Sequence, residues 1–245
     1  MRVKAWLYPG PDLHIRQRGA AVLRHLAAAH GLRVLDAGCG NGYFSFLAEA
    51  EGCDVIGVSV DESSIRRCEA FRDFLGVTSE RVQFRVMNLY DLGSMPETFD
   101  RIICVETLEH ILDDEKVLRS FWDRLKPGGR LIIGVPNLDG PDFYGEVVST
   151  AEDGGHVRKG YTHAQLESML SRIGFTSIAR DVYGGGWTRR AIALHRRLDT
   201  AGSALGARAA PALGVVAFLA LRPLTMLDRF SRAEPLSILV VANRP

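Results

Sequence analysis

The segment Val34–Phe46, VLDAGCGNGYFSF, sets three glycines (Gly38, Gly40, Gly42) between an apolar run and a run with helical spacing. Glycines at such a junction let the backbone turn tightly and approach a ligand without Cβ clashes. A helix that opens directly after them presents unpaired N–H groups to a polar or anionic group. The spacing is G-x-G-x-G, and Tyr43 stands where the third glycine of a dinucleotide fingerprint would fall, so a nicotinamide site is disfavoured. A second constellation is Glu106-Thr107-Leu108-Glu109-His110, whose two glutamates and histidine fall at i, i+3 and i+4, on one face of a helical turn. His156 follows in a polar loop. His110 and His156 are candidate general bases, because imidazole exchanges a proton near neutral pH. Their structural alternatives are a capping histidine and an exposed loop histidine.

Elements of regular length must hold these residues. Leu32–Asp36, Asp54–Val60, Arg81–Met87, Phe99–Val105 and Arg130–Val135 read as strands, and Gly42–Glu51, Asp61–Leu75 and Asp113–Leu125 as helices, the last closed by the Lys126-Pro127-Gly128-Gly129 stop. Buried strands alternating with helices predict an α/β, doubly wound parallel sheet covered on both faces. The glycine loop then lies at the carboxyl end of the first strand, where such sheets bind ligands. Beyond Asn137 the pattern loosens. Leu138–Lys159 reads as loop, Thr162–Ile173 as a capped helix, Phe175–Val182 as a strand, 187–230 as an Arg-rich helical stretch, and Leu236–Ala242 as a last strand.

Composition narrows the function classes. With 245 residues, 47% hydrophobic and a net charge of only +1, the chain has the means to build a core, which excludes intrinsic disorder. The longest apolar run, Ala212–Leu221, lies between Pro211 and Arg222 and is too short to span a bilayer. The first ten residues lack the apolar stretch of a secretory signal, and Cys39, Cys53, Cys68 and Cys104 are widely spaced, so a reduced, cytoplasmic protein is expected. The stretch 187–232 carries eight arginines against two aspartates. With its apolar segment, including Val215, Val216, Phe218 and Leu219, it either packs as a lid or lies peripherally on the inner face of an anionic membrane.

Several ordered motifs now coincide: VLDAGCGNG (Val34–Gly42), VIGVSVD (Val55–Asp61), FDRIICVETLEHI (Phe99–Ile111), LKPGGRLIIGVPN (Leu125–Asn137) and HVRKGYTHAQLESMLSRIGF (His156–Phe175). From about Arg18 to Gly174 the chain resembles the class I S-adenosylmethionine-dependent methyltransferases, nearest in motif to the ubiquinone-type, small-molecule O-methyltransferases. The resemblance implies a Rossmann-like, seven-stranded sheet whose final strand is antiparallel, with a helical C-terminal lid. It implies one domain over 1–245, with 30–136 as the cofactor-binding core and 137–245 facing the acceptor. Asp36, Gly38 and Gly40 would surround the methionine part of S-adenosyl-L-methionine. Ser59 stands where the family usually has an acidic residue on the ribose hydroxyls, with Asp61 as a substitute. Asn88 would accept from the adenine amino group, beside the Leu89 N–H as donor. Val105 and Glu106 would lie by the sulfonium, and Arg18 matches an arginine that reaches the cofactor carboxylate.

A sulfonium methyl is already electrophilic, so such a protein mainly aligns a nucleophile and removes its proton. The E-x-x-E-H pattern also resembles the metal-binding set of ubiquinone-pathway and small-RNA 2′-O-methyltransferases, in which a divalent ion orients the accepting oxygen and a later histidine, here comparable to His156, completes the site. The same segment occurs in metal-free relatives, so no metal ligand is assigned. The acceptor implied is a small molecule, quinone, glycan or lipid-linked compound. A nucleic acid is not expected, because the chain lacks a basic excess with interleaved aromatics. Two rivals stay open: a C-methyl or cyclopropane-type transferase, suggested by Ser59, and a non-catalytic S-adenosylmethionine-binding scaffold.

Overall fold

A computed structural model of the chain describes residues 12–26, 30–141, 148–203 and 209–245. Helix α1 (Leu13–Leu26) leads into β1 (Arg33–Ala37), α2 (Tyr43–Ala50), β2 (Asp54–Ser59), α3 (Glu62–Leu75), β3 (Val82–Val86) and β4 (Phe99–Val105). Then follow α4 (Asp114–Arg124), β5 (Leu125–Pro136), α5 (His163–Ile173), β6 (Thr176–Tyr183), α6 (Gly186–Ser203), α7 (Ala209–Thr225) and β7 (Ser237–Asn243). The seven strands form one sheet in the order β3-β2-β1-β4-β5-β7-β6. Strands β1 to β5 pair in parallel, and β7 runs antiparallel to both β5 and β6.

The strands are apolar at consecutive positions because both faces are covered. Leu35, Ile102, Leu131, Ile133 and Val240 enter one cluster with Leu118 and Phe121 of α4 and Leu166 and Leu170 of α5. Their neighbours Val34, Ile103, Ile132, Leu239 and Val241 enter another with Val22 of α1, Phe46 of α2 and Ile65 of α3. This two-sided burial, read from the β-branched runs, produces the doubly wound sheet. All four cysteines are buried and none forms a disulfide.

One boundary differs from the sequence reading. Lys126-Pro127-Gly128-Gly129 does not separate helix from strand, because β5 begins at Leu125. The pairing with β4 jumps from Phe99–Leu125 to Arg101–Arg130, so the tetrapeptide is a bulge within the strand. Gly128 takes φ +74° there, and reciprocal bonds between Gly128 and Arg244 and between Arg244 and Gly129, each 2.9 Å, hold it in the sheet.

The Arg-rich stretch forms a hairpin, α6 against α7, inserted between β6 and β7. Asp228, beyond α7, closes it: its carboxylate accepts from the N–H groups of Gly185 (3.0 Å), Trp187 (2.8 Å) and Thr188 (3.0 Å) and from the Thr188 hydroxyl. The first turn of α6 thus takes its cap from a residue some forty positions away. Phe218, grouped above with an outward-facing apolar stripe, is 4% exposed and packs with Ala191, Ile192 and Leu221.

Candidate active site

The glycine loop leaves β1 and is tied at once to β2, where the Gly38 and Cys39 N–H groups share the Val58 carbonyl at 3.0 and 2.8 Å. Gly38, Gly40 and Gly42 have φ of +80°, +50° and +80°, the left-handed region that glycine enters without steric cost. They serve different ends. A Cβ on Gly38 would stand 2.4 Å from the Thr107 side chain, and one on Gly42 would meet Cys68 Sγ at 3.0 Å and Phe46 at 3.1 Å. These two glycines allow packing. At Gly40 the nearest atom is the Gly38 carbonyl oxygen, 4.0 Å away. Gly40 alone of the three is exposed, with room beside it for a ligand to approach the backbone.

Asp36 stands behind this loop instead of lining it. Its side chain is 1% exposed, and the Ser45 hydroxyl of α2 donates to Oδ2 at 2.6 Å. Burial pushes its carboxyl up to about 6, against the pull of the Ser45 bond. In this arrangement the carboxylate is buried and braces the start of α2 through Ser45.

At the end of β2, Ser59 Oγ accepts from the Asp61 N–H at 3.2 Å. Asp61 is the N-cap of α3, accepting from the N–H groups of Ser63 and Ser64, and their hydroxyls hold its carboxyl down at about 2. Both Asp61 oxygens thus serve the helix cap. After β3, Asn88 caps a short 3₁₀ turn (Leu89–Ser94), its Oδ1 accepting from Tyr90 N–H at 3.0 Å. The capping bond occupies one lone pair of that oxygen. Leu89 opens the turn, and its N–H makes no hydrogen bond among the described residues.

The β4 end is the most constrained point of the site. Val105 is buried and is followed by Glu106 at φ +50°, a conformation a non-glycine residue keeps only when its surroundings impose it. Here they do. The Glu106 N–H bonds the Gly134 carbonyl at 2.7 Å, Arg18 Nη2 lies 2.8 Å from one carboxylate oxygen, and Tyr183 donates to the other at 2.8 Å. Ser237 adds a longer contact of 3.4 Å. Burial and the Glu106 charge hold the Tyr183 phenol protonated. Arg18 is thus placed at the β4 end by its pairing with Glu106. Tyr183 and Ser237 escape the sequence reading, although Tyr183 precedes Gly184-Gly185-Gly186 much as Asp36 precedes its own glycine cluster.

Glu106 is also withdrawn from the E-x-x-E-H set by those partners. The remaining two residues turn the other way on a 3₁₀ turn (Leu108–His110), where they meet His156. Glu109, His110 and His156 each offer one ligand atom, and the three atoms lie within 4.8 Å of one another. Glu109 is fully buried, and the two imidazoles meet edge to face with centroids 4.6 Å apart. His110 Nδ1 lies 2.9 Å from the Gly155 carbonyl oxygen. A carbonyl can only accept, so Nδ1 carries the proton and Nε2 keeps the lone pair, as in a base or a metal ligand. The cluster adjoins the glycine loop through Thr107, whose side chain fills the space beside Gly38 and whose hydroxyl lies 3.5 Å from the Gly38 carbonyl.

With this geometry in hand, the chain was compared with known proteins. Residues 28–171 match the family profile described as a methyltransferase domain. The human mitochondrial ubiquinone biosynthesis O-methyltransferase is 30% identical over 154 residues, which cover 60% of this chain and 42% of that protein. The ubiquinone biosynthesis O-methyltransferase of Pseudomonas syringae pv. tomato is 34% identical over 123 residues, covering 50% of this chain and 51% of that one. The chain thus spans about half, or less, of the length of these curated relatives. Among solved structures, a SAM-dependent methyltransferase from Archaeoglobus fulgidus superposes with a TM-score of 0.61 at 19% identity, covering 96% of both chains. Haemonchus contortus phosphoethanolamine N-methyltransferase 2, solved with S-adenosyl-L-methionine, gives 0.62 at 18% identity, covering 93% of this chain and 52% of that one.

Proposed function

Because the chain belongs to the methyltransferase-domain family, we propose that it transfers a methyl group from S-adenosylmethionine to an oxygen of a small-molecule or lipid-linked acceptor. The observation that carries this reading is the adjacency, through Gly38 and Thr107, of the glycine loop after β1 and the Glu109–His110–His156 cluster after β4, at the carboxyl ends of these neighbouring strands. Residues 30–136 supply the donor side and 137–245 the acceptor side. On the donor side Gly38, Gly40, Ser59, Asn88, Leu89 and Val105 would line the pocket, with Asp36 bracing it. Arg18, held beside Val105 by Glu106, would offer its remaining N–H groups to a donor carboxylate. The donor supplies a methyl on a positively charged sulfur, so the protein's task is to hold an acceptor oxygen in line and remove its proton.

His110 suits that task, because its Nδ1–H is fixed on Gly155 and Nε2 is the basic atom. The donor set also fits a divalent cation, with two borderline imidazoles and one hard carboxylate. Glu109, His110 and His156 would hold such an ion, which when bound would orient the acceptor oxygen and lower its proton affinity. Uptake of label from a methyl-labelled donor into cell extracts, with the protein present and absent, tests the activity as a whole; no transfer in any extract would favour a binding scaffold.

The ribose contact has its own test. Ser59→Val should weaken S-adenosylhomocysteine binding by about 1–2 kcal/mol, one hydrogen bond and a desolvated partner, and Ser59→Asp should match or exceed the wild type. Asp61→Ala should chiefly lower the melting temperature, through loss of the α3 cap. Calorimetric loss of binding in Asp61→Ala, with none in Ser59→Val, would shift the contact to Asp61.

A specific observation favours membrane contact by the hairpin. Val215, Val216 and Leu219 of α7 remain exposed (Val216 at 61%), with Met226 and Phe230 beyond them and Arg190, Arg196, Arg197, Arg222 and Arg229 on the surface. No helix among the described residues is long and apolar enough to cross a membrane. The arrangement instead suits the interface of an anionic bilayer, at about 1 kcal/mol per arginine, screened by salt. Flotation is expected with anionic vesicles at low salt and not with neutral ones or at high salt. Failure to float with anionic vesicles would leave the hairpin as a lid only.

A further inference from the structure

We propose that Glu152 is a positioning residue: it latches the strap that carries His156 to the turn after β3, so that donor binding and the placement of His156 are coupled. The strap is 148–159, drawn across the carboxyl edge of the sheet. Glu152 Oε1 accepts from the Tyr90 hydroxyl at 2.6 Å and from the Leu112 N–H at 2.6 Å. The Tyr90 hydroxyl in turn accepts from the Asp113 N–H at 3.0 Å. Tyr90 belongs to the turn capped by Asn88, through its own N–H. One carboxylate oxygen therefore joins that turn, the strap and the segment that follows His110.

The strap's other bonds converge on His156. Asp153 ties the strap on itself, accepting from the Ser149 hydroxyl and the Gly155 N–H, each at 3.1 Å. The Ser149 N–H bonds the His156 carbonyl at 2.7 Å. On either side of His156, the Gly155 carbonyl receives His110 Nδ1–H and the Val157 N–H bonds the Glu109 carbonyl at 2.9 Å. Arg158 then anchors the far end on the Ile111 and Leu112 carbonyls at 2.7 and 3.0 Å. His156 thus owes its place to a strap fastened at both ends, and Glu152 is the fastening that reaches the Asn88–Tyr90 turn. A ligand that orders this turn and prefers the latched strap tightens the strap, and by linkage unlatching the strap weakens that ligand.

The identity of that ligand rests on the methyltransferase reading; the latch itself does not. Hydrogen–deuterium exchange of the full chain, followed by mass spectrometry, separates the two. Without ligand, Glu152→Ala and Tyr90→Phe should speed exchange at Gly155 and Val157 about tenfold, while amides in β1 and β4 stay protected. Glu152→Gln should behave as wild type, because its amide oxygen still accepts both bonds. Adding S-adenosylhomocysteine should slow the strap of the wild type, and Glu152→Ala should weaken its binding at least about fivefold. Unchanged strap exchange in Glu152→Ala, or a Gln variant as fast as Ala, would overturn the latch. S-adenosylhomocysteine that binds without slowing the strap would overturn the coupling. If it does not bind the wild type at all, the donor reading fails, and the ligand-free comparison still decides the latch.

Discussion

Gly40→Val is expected to abolish S-adenosylhomocysteine binding in a chain that still folds. The missing Cβ at this position faces open space, with only the Gly38 carbonyl oxygen 4.0 Å away, so a branched side chain fills the cradle and not the core. Valine at φ +50° carries about 1–2 kcal/mol of backbone strain, which a domain with this core can bear. Calorimetry should show affinity lower by at least about a hundredfold, near 2.7 kcal/mol, with the circular dichroism spectrum retained. Gly42→Val supplies the contrast, because its Cβ meets Cys68, Phe46 and Phe84 and the damage should appear as lost stability. Full affinity in a folded Gly40→Val variant would remove the cofactor assignment.

The second large effect is on turnover. His110→Ala and His156→Ala should each slow methyl transfer by about 10²–10⁴, with S-adenosylhomocysteine affinity unchanged, because both act on the acceptor's proton or its placement. The double variant should be little worse than either single one, since residues that act as a unit do not add. Chelation sorts the chemistry within the cluster. If a divalent ion is held there, chelator treatment and Glu109→Gln should reproduce the histidine losses, and added divalent ions should reverse the first of these. Full activity under both treatments would leave His110 acting as a bare base. Transfer at wild-type rates in both histidine variants would move the acceptor site elsewhere.

Much of this was legible in the sequence, and the boundary of legibility has physical causes. Two-sided burial writes itself into β-branched runs, so the strands and the switch-point loop are readable from Val34, Ile103 and Ile132 alone. The turning of single side chains is not. Asp36 and Glu106 both sit at or just beyond strand ends, yet one is turned into the core by Ser45 and the other is held by Arg18 and Tyr183. These partners come from distant elements, and no local pattern announces them. Asp61 is ambiguous for the opposite reason: an acid before Ser-Ser is as natural for a helix cap as for a ribose contact, and the structure shows it capping α3. Histidines 46 positions apart met because the strap returns over the β4 end, a consequence of loop geometry that periodicity does not encode.

The cap that Asp228 supplies to α6 has a consequence for how such a protein can change over evolution. The methyltransferase profile ends at residue 171, before the hairpin begins. Asp228 fastens the two ends of the hairpin to each other through backbone amides, which any sequence possesses. Between those ends the hairpin answers chiefly to itself and to a small apolar contact with Leu13 and Leu236. It is therefore an exchangeable cassette. Selection can rewrite its outer surface while the sheet beneath keeps its register.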